Sequence, residues 1–524
     1  MKKLSDKIAT LREKIFYSYI IKPNEIKGKH SNELLILLDI LKTVYVEIIS
    51  KSSYNSKEAN INSIAETFSH AAIAYESGIA SNILKSLIFI DELFISIENN
   101  FHDIPMYILK KKLLSLYQLA FNSNTHKELN NKLIHFIWIG EISKIQLKHV
   151  ELWAKRNNDY RVMLWMDPKT LLAGELLKAK KATLRSDETS KDEALRVQRQ
   201  CWYFSQERHI FNDEIIAEYL TDVSGKKFSS RCINKARKEF VNIKLSYLNI
   251  KIMDINTLIS KYENRGRLKI YNFEIFYRTN LAAASDVIRL LVLSEFGGIY
   301  IDIDTLPKIN IDFPHTDRYL TDNNLHDQHN EKIEAMKNTM TFEKFWQIEN
   351  KERKTFESND CFDKPALFNA IKKDLCSTGS NSVFCSLKEI KIPFDIPLLS
   401  RHKKNINVFF SNVIVANSNS TTIDLSLKII NENYRKIFRL VEKNIQSDFI
   451  FNYALDGYKN NSRVTLNISG PGVLLRAIFL TIIDTLELPQ DIPESALLGF
   501  LNTHLSFTEQ TMETESGLAS SWMK

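Results

Sequence analysis

Two aspartates, Asp302 and Asp304, are the residues of this chain best placed by type and spacing to do chemistry. They end the run Ile299-Tyr300-Ile301-Asp302-Ile303-Asp304, whose β-branched and aromatic residues predict a buried strand. Carboxylates at i and i+2 of an extended chain point the same way. At the carboxyl end of a strand, where open α/β sheets bind ligands, such a pair can reach one divalent cation and a neighbouring hydroxyl. Either aspartate taken alone reads equally well as a solvated strand end.

The residues just upstream change that balance. Residues 280–295 carry Ile288, Leu291, Val292 and Leu293 at helical spacing, with Asp286 and Arg289 three apart on one face. By itself that pair is a surface ion pair of roughly 0.2–0.5 kcal/mol. Phe296-Gly297-Gly298 breaks the helix, since glycine takes positive φ without steric cost, and Pro307 ends the strand run. A helix bearing Asp and Arg, then F-G-G-x-Y-x-D-x-D, is a compound motif that chance rarely supplies. D-x-D in this setting is the arrangement of metal-dependent nucleotide-sugar transferases.

The elements that must position these side chains are legible as periodic segments. Residues 1–130 read as a helical bundle, with apolar helices at 34–49, 71–94 and 108–121. Residues 133–140 give the first clear strand, 145–157 a helix and 161–166 a second strand, so a β-α-β unit opens a nucleotide-binding half-fold. Residues 169–265 are charged and read as a helical insertion without strands, after which 268–273 reads as a strand. Residues 310–405 read as irregular, 408–416 and 464–468 as strands, 473–488 as a helix and 508–524 as a loop. The fold class expected is α/β: a Rossmann-like central mixed sheet with many helical insertions, occupying 131–524 behind the N-terminal bundle.

Composition excludes several classes. The 524 residues are 44% apolar, enough for a large core, and scarce glycine (14) and proline (11) argue against a β-sandwich. A net charge of +7 from 70 basic and 63 acidic residues is too mild to make nucleic acid the partner. No run of 18 apolar residues occurs, so no membrane span is expected, and the N-terminus lacks the apolar region of a signal peptide. Five scattered cysteines without C-x-x-C argue against structural zinc or a disulfide framework and for reduced thiols.

Four separated segments resemble the N-terminal glucosyltransferase domain of the large clostridial cytotoxins: I-H-F-I-W-I-G (134–140), the 280–307 motif, N-I-S-G-P (467–471) and the terminal A-S-S-W (519–522). The resemblance implies a GT-A-type, retaining transferase that moves a sugar from a UDP-sugar to a threonine hydroxyl of Rho- or Ras-type small GTPases in host cytosol, with Mn²⁺ or Mg²⁺ as cofactor. It implies that Trp138 stacks on uracil beside Ile137, where an indole could equally be core, and that Ser285 and Tyr300 line the donor pocket. Asp286 and Arg289 would hold the hexose hydroxyls. Asp304 would ligate the metal, and Asp302 would contact the ribose or the metal's water. Ser520 and Trp522 would act from a C-terminal loop at the metal and the diphosphate, although by position alone Trp522 is a frayed end. The family's glutamate three residues before that serine is replaced by Gly517, leaving Glu515 or Glu513 as the nearby carboxylate. The segment Ser411-Asn412-Val413 would touch the sugar, and its modest bulk favours UDP-N-acetylglucosamine over UDP-glucose.

The resemblance also implies an N-terminal membrane-contacting bundle: Phe16, Tyr17 and Tyr19 between Arg12, Lys14 and Lys22 suit an anionic membrane surface, and equally a bundle core with a solvated basic face. The resemblance further implies a secreted or injected protein acting in the host cytosol, at the inner face of the plasma membrane. Two rivals stand beside this reading: a non-catalytic adaptor with a degenerate transferase fold, and a transferase that builds a glycan or lipopolysaccharide.

Overall fold

The computed structural model describes residues 126–184, 191–224, 230–247, 249–261, 266–323, 330–345, 364–378, 383–393, 395–401, 409–443, 447–456, 458, 464–485, 507 and 510–514. The expected N-terminal helices and their basic-aromatic tip, and the residues Glu515, Gly517, Ser520 and Trp522, lie outside them. Strands in chain order are β1 (His126–Glu128), β2 (Leu133–Trp138), β3 (Arg161–Met166), β4 (Ile250–Asp254), β5 (Gly298–Ile301), β6 (Thr305–Pro307), β7 (Lys391–Pro393), β8 (Leu398–Arg401), β9 (Phe409–Ala416) and β10 (Thr511–Glu513).

The chain divides into two compact units. One comprises Met1–Glu128, Lys391–Phe409 and Leu475–Ser506, and its described residues include the antiparallel pair β1–β7. The other comprises Leu129–Ile390, Phe410–Leu474 and Phe507–Lys524, and it holds the candidate site.

In this second unit the central sheet runs β4-β3-β2-β5-β9. Pairings β2–β3, β3–β4 and β2–β5 are parallel, and β5–β9 is antiparallel, with Ile301 opposite Val413. The helix Lys144–Arg156 makes the β2–β3 crossover, opened by a Ser143–Gln146 capping box. The helix Leu281–Phe296 feeds β5, its first turn capped by Asn280. It is buried along most of its length, which is why its sequence is apolar on nearly every face.

Two glycines make the helix-to-strand turn possible. Gly297 and Gly298 have φ of +62° and +103°, and added Cβ atoms would sit 2.4 Å from Ser418 N and 2.7 Å from Leu133 O. No other residue tolerates both the conformation and the approach. The turn is held by buried His135 of β2, whose Nε2 lies 2.9 Å from the Gly297 carbonyl. The Trp165 indole donates to His135 Nδ1 at 3.2 Å. Nε2–H therefore donates, and burial pushes the imidazole down to about 4, so it stays neutral.

Several sequence expectations change. Ile250–Asp254, inside the stretch read as purely helical, is the edge strand β4. Arg267–Phe273 is a helix, not a strand, and runs into a π-helical turn at Glu274–Arg278. Val464–Ile468 is also a helix, with Thr465 and Ile468, three apart, buried on one side. Residues 310–405 contain the helices Pro314–Asp322, Asn330–Phe345 and Lys364–Ser377, which pack around Leu320, Ile333 and Leu367. Thr511–Glu513, expected in a loop, pairs antiparallel with β6. Val464–Thr485, two successive helices, is long and apolar enough by composition to cross a membrane, with mean hydropathy 1.7. Buried Ala477, Ile478 and Ile482 also suit a core helix. Among the described cysteines all are free thiols.

Candidate active site

The site is built where β5 ends. Asp302 and Asp304 do not lie on extended chain, as the i, i+2 argument expected, but in a tight turn between β5 and β6, closed by a bond from Thr305 N–H to the Asp302 carbonyl (3.0 Å). The main chain of β9 takes hold of that turn, the Asp302 N–H donating to the Asn412 carbonyl at 2.7 Å. Asn412 Nδ2 also donates to Thr305 Oγ1 at 3.3 Å. Both aspartate side chains are half-buried.

Arg289 organises the rest. Its guanidinium is buried against the Tyr300 ring, 4.5 Å from the ring centre. Its Nη1 donates to the Ser411 carbonyl (2.6 Å) and hydroxyl (3.0 Å) and lies 3.7 Å from Asp302. Its Nη2 lies 3.2 Å from Asp286. Burial opposes its charge, but Tyr300, Asp302 and Asp286 hold the guanidinium above its ordinary range. The pair is thus no surface ion pair. Tyr300, fully buried, donates its hydroxyl to Asp302. Ser285 hydrogen-bonds the same tyrosine.

Asp286 is buried, and the Ser469 hydroxyl donates to it at 3.2 Å. Burial pushes its carboxyl up to about 7; Arg289 opposes that rise and Asp302 adds to it. Asp304 is likewise pushed up to about 7, by burial and then by the charge of Asp302. The charge of Asp302 disfavours ionisation of Asp304, and two half-buried carboxyls offering only hard oxygen donors suit a Mn²⁺ or Mg²⁺ ion, which would relieve that repulsion. Among the described residues no third His, Cys, Asp or Glu joins them.

Trp138 ends β2 and is only half-buried, its indole N–H donating to the Glu141 carbonyl at 3.0 Å. Neighbouring Ile137 is core. Ser411 and Asn412 are half-buried on β9 and held as described above. Val413, expected to face the sugar, is fully buried opposite Ile301 and belongs to the core. Phe409 is buried and Phe410 exposed, so neither joins this cluster of polar contacts.

Sequence reasoning missed several contributors. His149 and Trp153 of the helix Lys144–Arg156 reach the turn from behind, their ring nitrogens 2.9 Å from the Ile303 and Thr305 carbonyls. Their spacing of four, on one helix face, was the available signal. Burial pushes His149 down to about 4. The Thr514 hydroxyl donates to the Asp304 carbonyl at 2.7 Å. Ser469 lies in the N-I-S-G-P segment, whose helical form hid its contact with Asp286.

The mixed sheet with its carboxylate turn at a strand end is the arrangement of a GT-A-type fold. Residues 132–459 match the family described as the TcdA/TcdB catalytic glycosyltransferase domain, and the chain belongs to that family. Cytotoxin-L of Paraclostridium sordellii is 26% identical over 404 residues, which cover 69% of this chain but 17% of the relative's length. The catalytic domain of alpha-toxin from Clostridium novyi superposes with a TM-score of 0.57 at 19% identity, covering 93% of this chain and 97% of that one. The UDP-bound glycosyltransferase domain of the YGT toxin gives a TM-score of 0.50 at 20% identity, covering 68% of this chain and 78% of that one. Both structures share the fold, in keeping with the chain's membership of the glycosyltransferase domain family.

Proposed function

We propose that the protein transfers a sugar from a UDP-sugar to a threonine hydroxyl of a Rho- or Ras-type small GTPase in host cytosol, with retention at the anomeric carbon. The observation that carries the reading is the Asp286–Arg289–Asp302 cluster at the end of β5, beside the Asp302–Asp304 turn. Trp138, at a strand end and open on one side, offers its indole to the uracil. Asp286 and Arg289 bind the hexose hydroxyls. Asp286, with its carboxyl near 7, can present either a donor or an acceptor to a hydroxyl. Arg289 also brings a buried positive charge to the donor site, beside Asp302.

Asp304 and Asp302 are the residues that would hold the divalent cation, with Ser520 and Glu515 assigned beside it by family resemblance. When bound, the cation stabilises charge on the leaving UDP. The same resemblance assigns the Trp522 indole N–H to the diphosphate. By the same resemblance, the N-terminal segment with Arg12, Lys14, Phe16, Tyr17, Tyr19 and Lys22 is assigned to contact with an anionic membrane at the inner face of the plasma membrane.

The donor favoured is UDP-N-acetylglucosamine. With Val413 in the core, this rests on the modest bulk of Ser411, whose hydroxyl accepts from Arg289. A larger residue there would exclude it by overpacking of ~1–3 kcal/mol. A competition with UDP-glucose and UDP-N-acetylglucosamine at equal concentration, read by the mass of the modified GTPase, tests it. Mainly N-acetylhexosamine product is expected, with a minor hexose product, since one small group separates donors only ~10–200-fold. A mainly hexose product rules the preference out.

A further inference from the structure

The turn that carries Asp302 and Asp304 has only a few residues of its own, and it is fixed by neighbours on several sides. From β9, Asn412 takes the Asp302 N–H. Just after β10, the Thr514 hydroxyl donates to the Asp304 carbonyl. From the helix Lys144–Arg156, His149 Nδ1 meets the Ile303 carbonyl and Trp153 Nε1 the Thr305 carbonyl, each at 2.9 Å. A carbonyl only accepts, so His149 Nδ1 carries the proton.

These two contacts differ from ordinary packing. They grip the carbonyls of residues 303 and 305, on either side of Asp304, from two side chains one helical turn apart. Both side chains are buried, and His149 is braced edge-on by Phe342 with ring centres 4.3 Å apart. The helix is the crossover between β2 and β3, so its position is set by the sheet and not by the turn.

We infer that His149 and Trp153 are positioning residues that hold the Asp302–Asp304 turn in the shape in which both carboxylates meet one divalent cation. The inference rests on the D-x-D reading above. A side chain that orients a ligand without touching the metal commonly changes metal affinity 10–100-fold when it is lost.

The test is titration of the full chain with Mn²⁺ at saturating UDP, following the electron paramagnetic resonance of free ion, with circular dichroism as the check on folding. Asparagine places its amide nitrogen where His149 Nδ1 stands, whereas glutamine places it one carbon further on. His149→Asn should therefore bind Mn²⁺ nearly as the wild type does, and His149→Gln about 10-fold or more weakly. Trp153→Phe, which removes the N–H together with part of the indole, should weaken binding in the same direction. His149→Asn and His149→Gln equal to wild type in Mn²⁺ affinity would overturn the inference. Asp304→Asn separates it from the reading beneath: if that variant loses the ion while His149→Gln keeps it, the inference alone fails. If Asp304→Asn binds Mn²⁺ like the wild type, the D-x-D reading fails and takes the inference with it.

Discussion

Trp138 and Asp286 are the residues at which chemistry and structure are most separable by experiment. Trp138 is half-buried at its strand end, so shortening it opens no large core cavity. Trp138→Ala should weaken UDP binding by roughly 1–3 kcal/mol, the range for stacking a base on an aromatic ring, in a calorimetric titration. Unchanged affinity would return the indole to a structural role. Asp286 makes a pH prediction. An unfolded aspartate titrates near ~4, whereas burial raises Asp286 in the fold to about 7. Between those values the native protein holds a proton that the unfolded chain releases, so stability falls as pH rises through that window. Asp286→Asn cannot ionise, and without metal or nucleotide its urea midpoint should decline less steeply with pH than that of the wild type. Parallel declines would mean that the carboxyl is ionised throughout.

At the scale of elements, the π-helical turn Glu274–Arg278 ties the helices around the site together. Fully buried Glu274 accepts from Arg278 Nε (2.8 Å) and from the hydroxyls of Tyr434 (2.6 Å) and Tyr453 (2.5 Å). Arg278 in turn donates to Thr465 Oγ1 at 3.0 Å, on the helix that leads to Ser469. Glu274→Ala leaves a buried guanidinium unpaired and should cost about 3–5 kcal/mol, read from chemical denaturation. A loss within experimental error of zero would show that water or another group replaces the carboxylate. The same region marks the limit of the sequence. The helix, glycine pair and strand at 281–301 were legible because three signals with different physical causes agree there: a helical period, positive-φ glycines and a β-branched run. V-T-L-N-I at 464–468 alternates and reads as a strand, but tertiary burial of Thr465 and Ile468 makes it helical. Ile250–Asp254 escaped notice because five residues between charged helices carry too little period to register. The D-x-D turn was read as extended because side-chain periodicity says nothing of the bond from Thr305 N–H to the Asp302 carbonyl that bends it.

At the scale of the whole molecule, membership of the toxin glycosyltransferase family and the fold agree with the cluster around Arg289. The individual residues of the cluster were legible from motif and resemblance, but their contacts were not. Arg289 finds Ser411 from 122 residues away, and Ser469 reaches Asp286 across 183, separations that no local pattern encodes. The chain spans 17% of the length of Cytotoxin-L, so the identity of the acceptor has to be established with this chain itself. The most direct measurement is intact-mass analysis of a panel of Rho- and Ras-type GTPases, incubated with the protein, Mn²⁺ and UDP-sugars, in parallel with Asp304→Asn. The account predicts a mass increase of one sugar on a threonine of at least one GTPase. The variant should lower the rate at least ~10²-fold, the scale of losing one key electrostatic group. Modification at the wild-type rate by Asp304→Asn, or no modification of any GTPase by a wild-type protein that hydrolyses UDP-sugar, would contradict it.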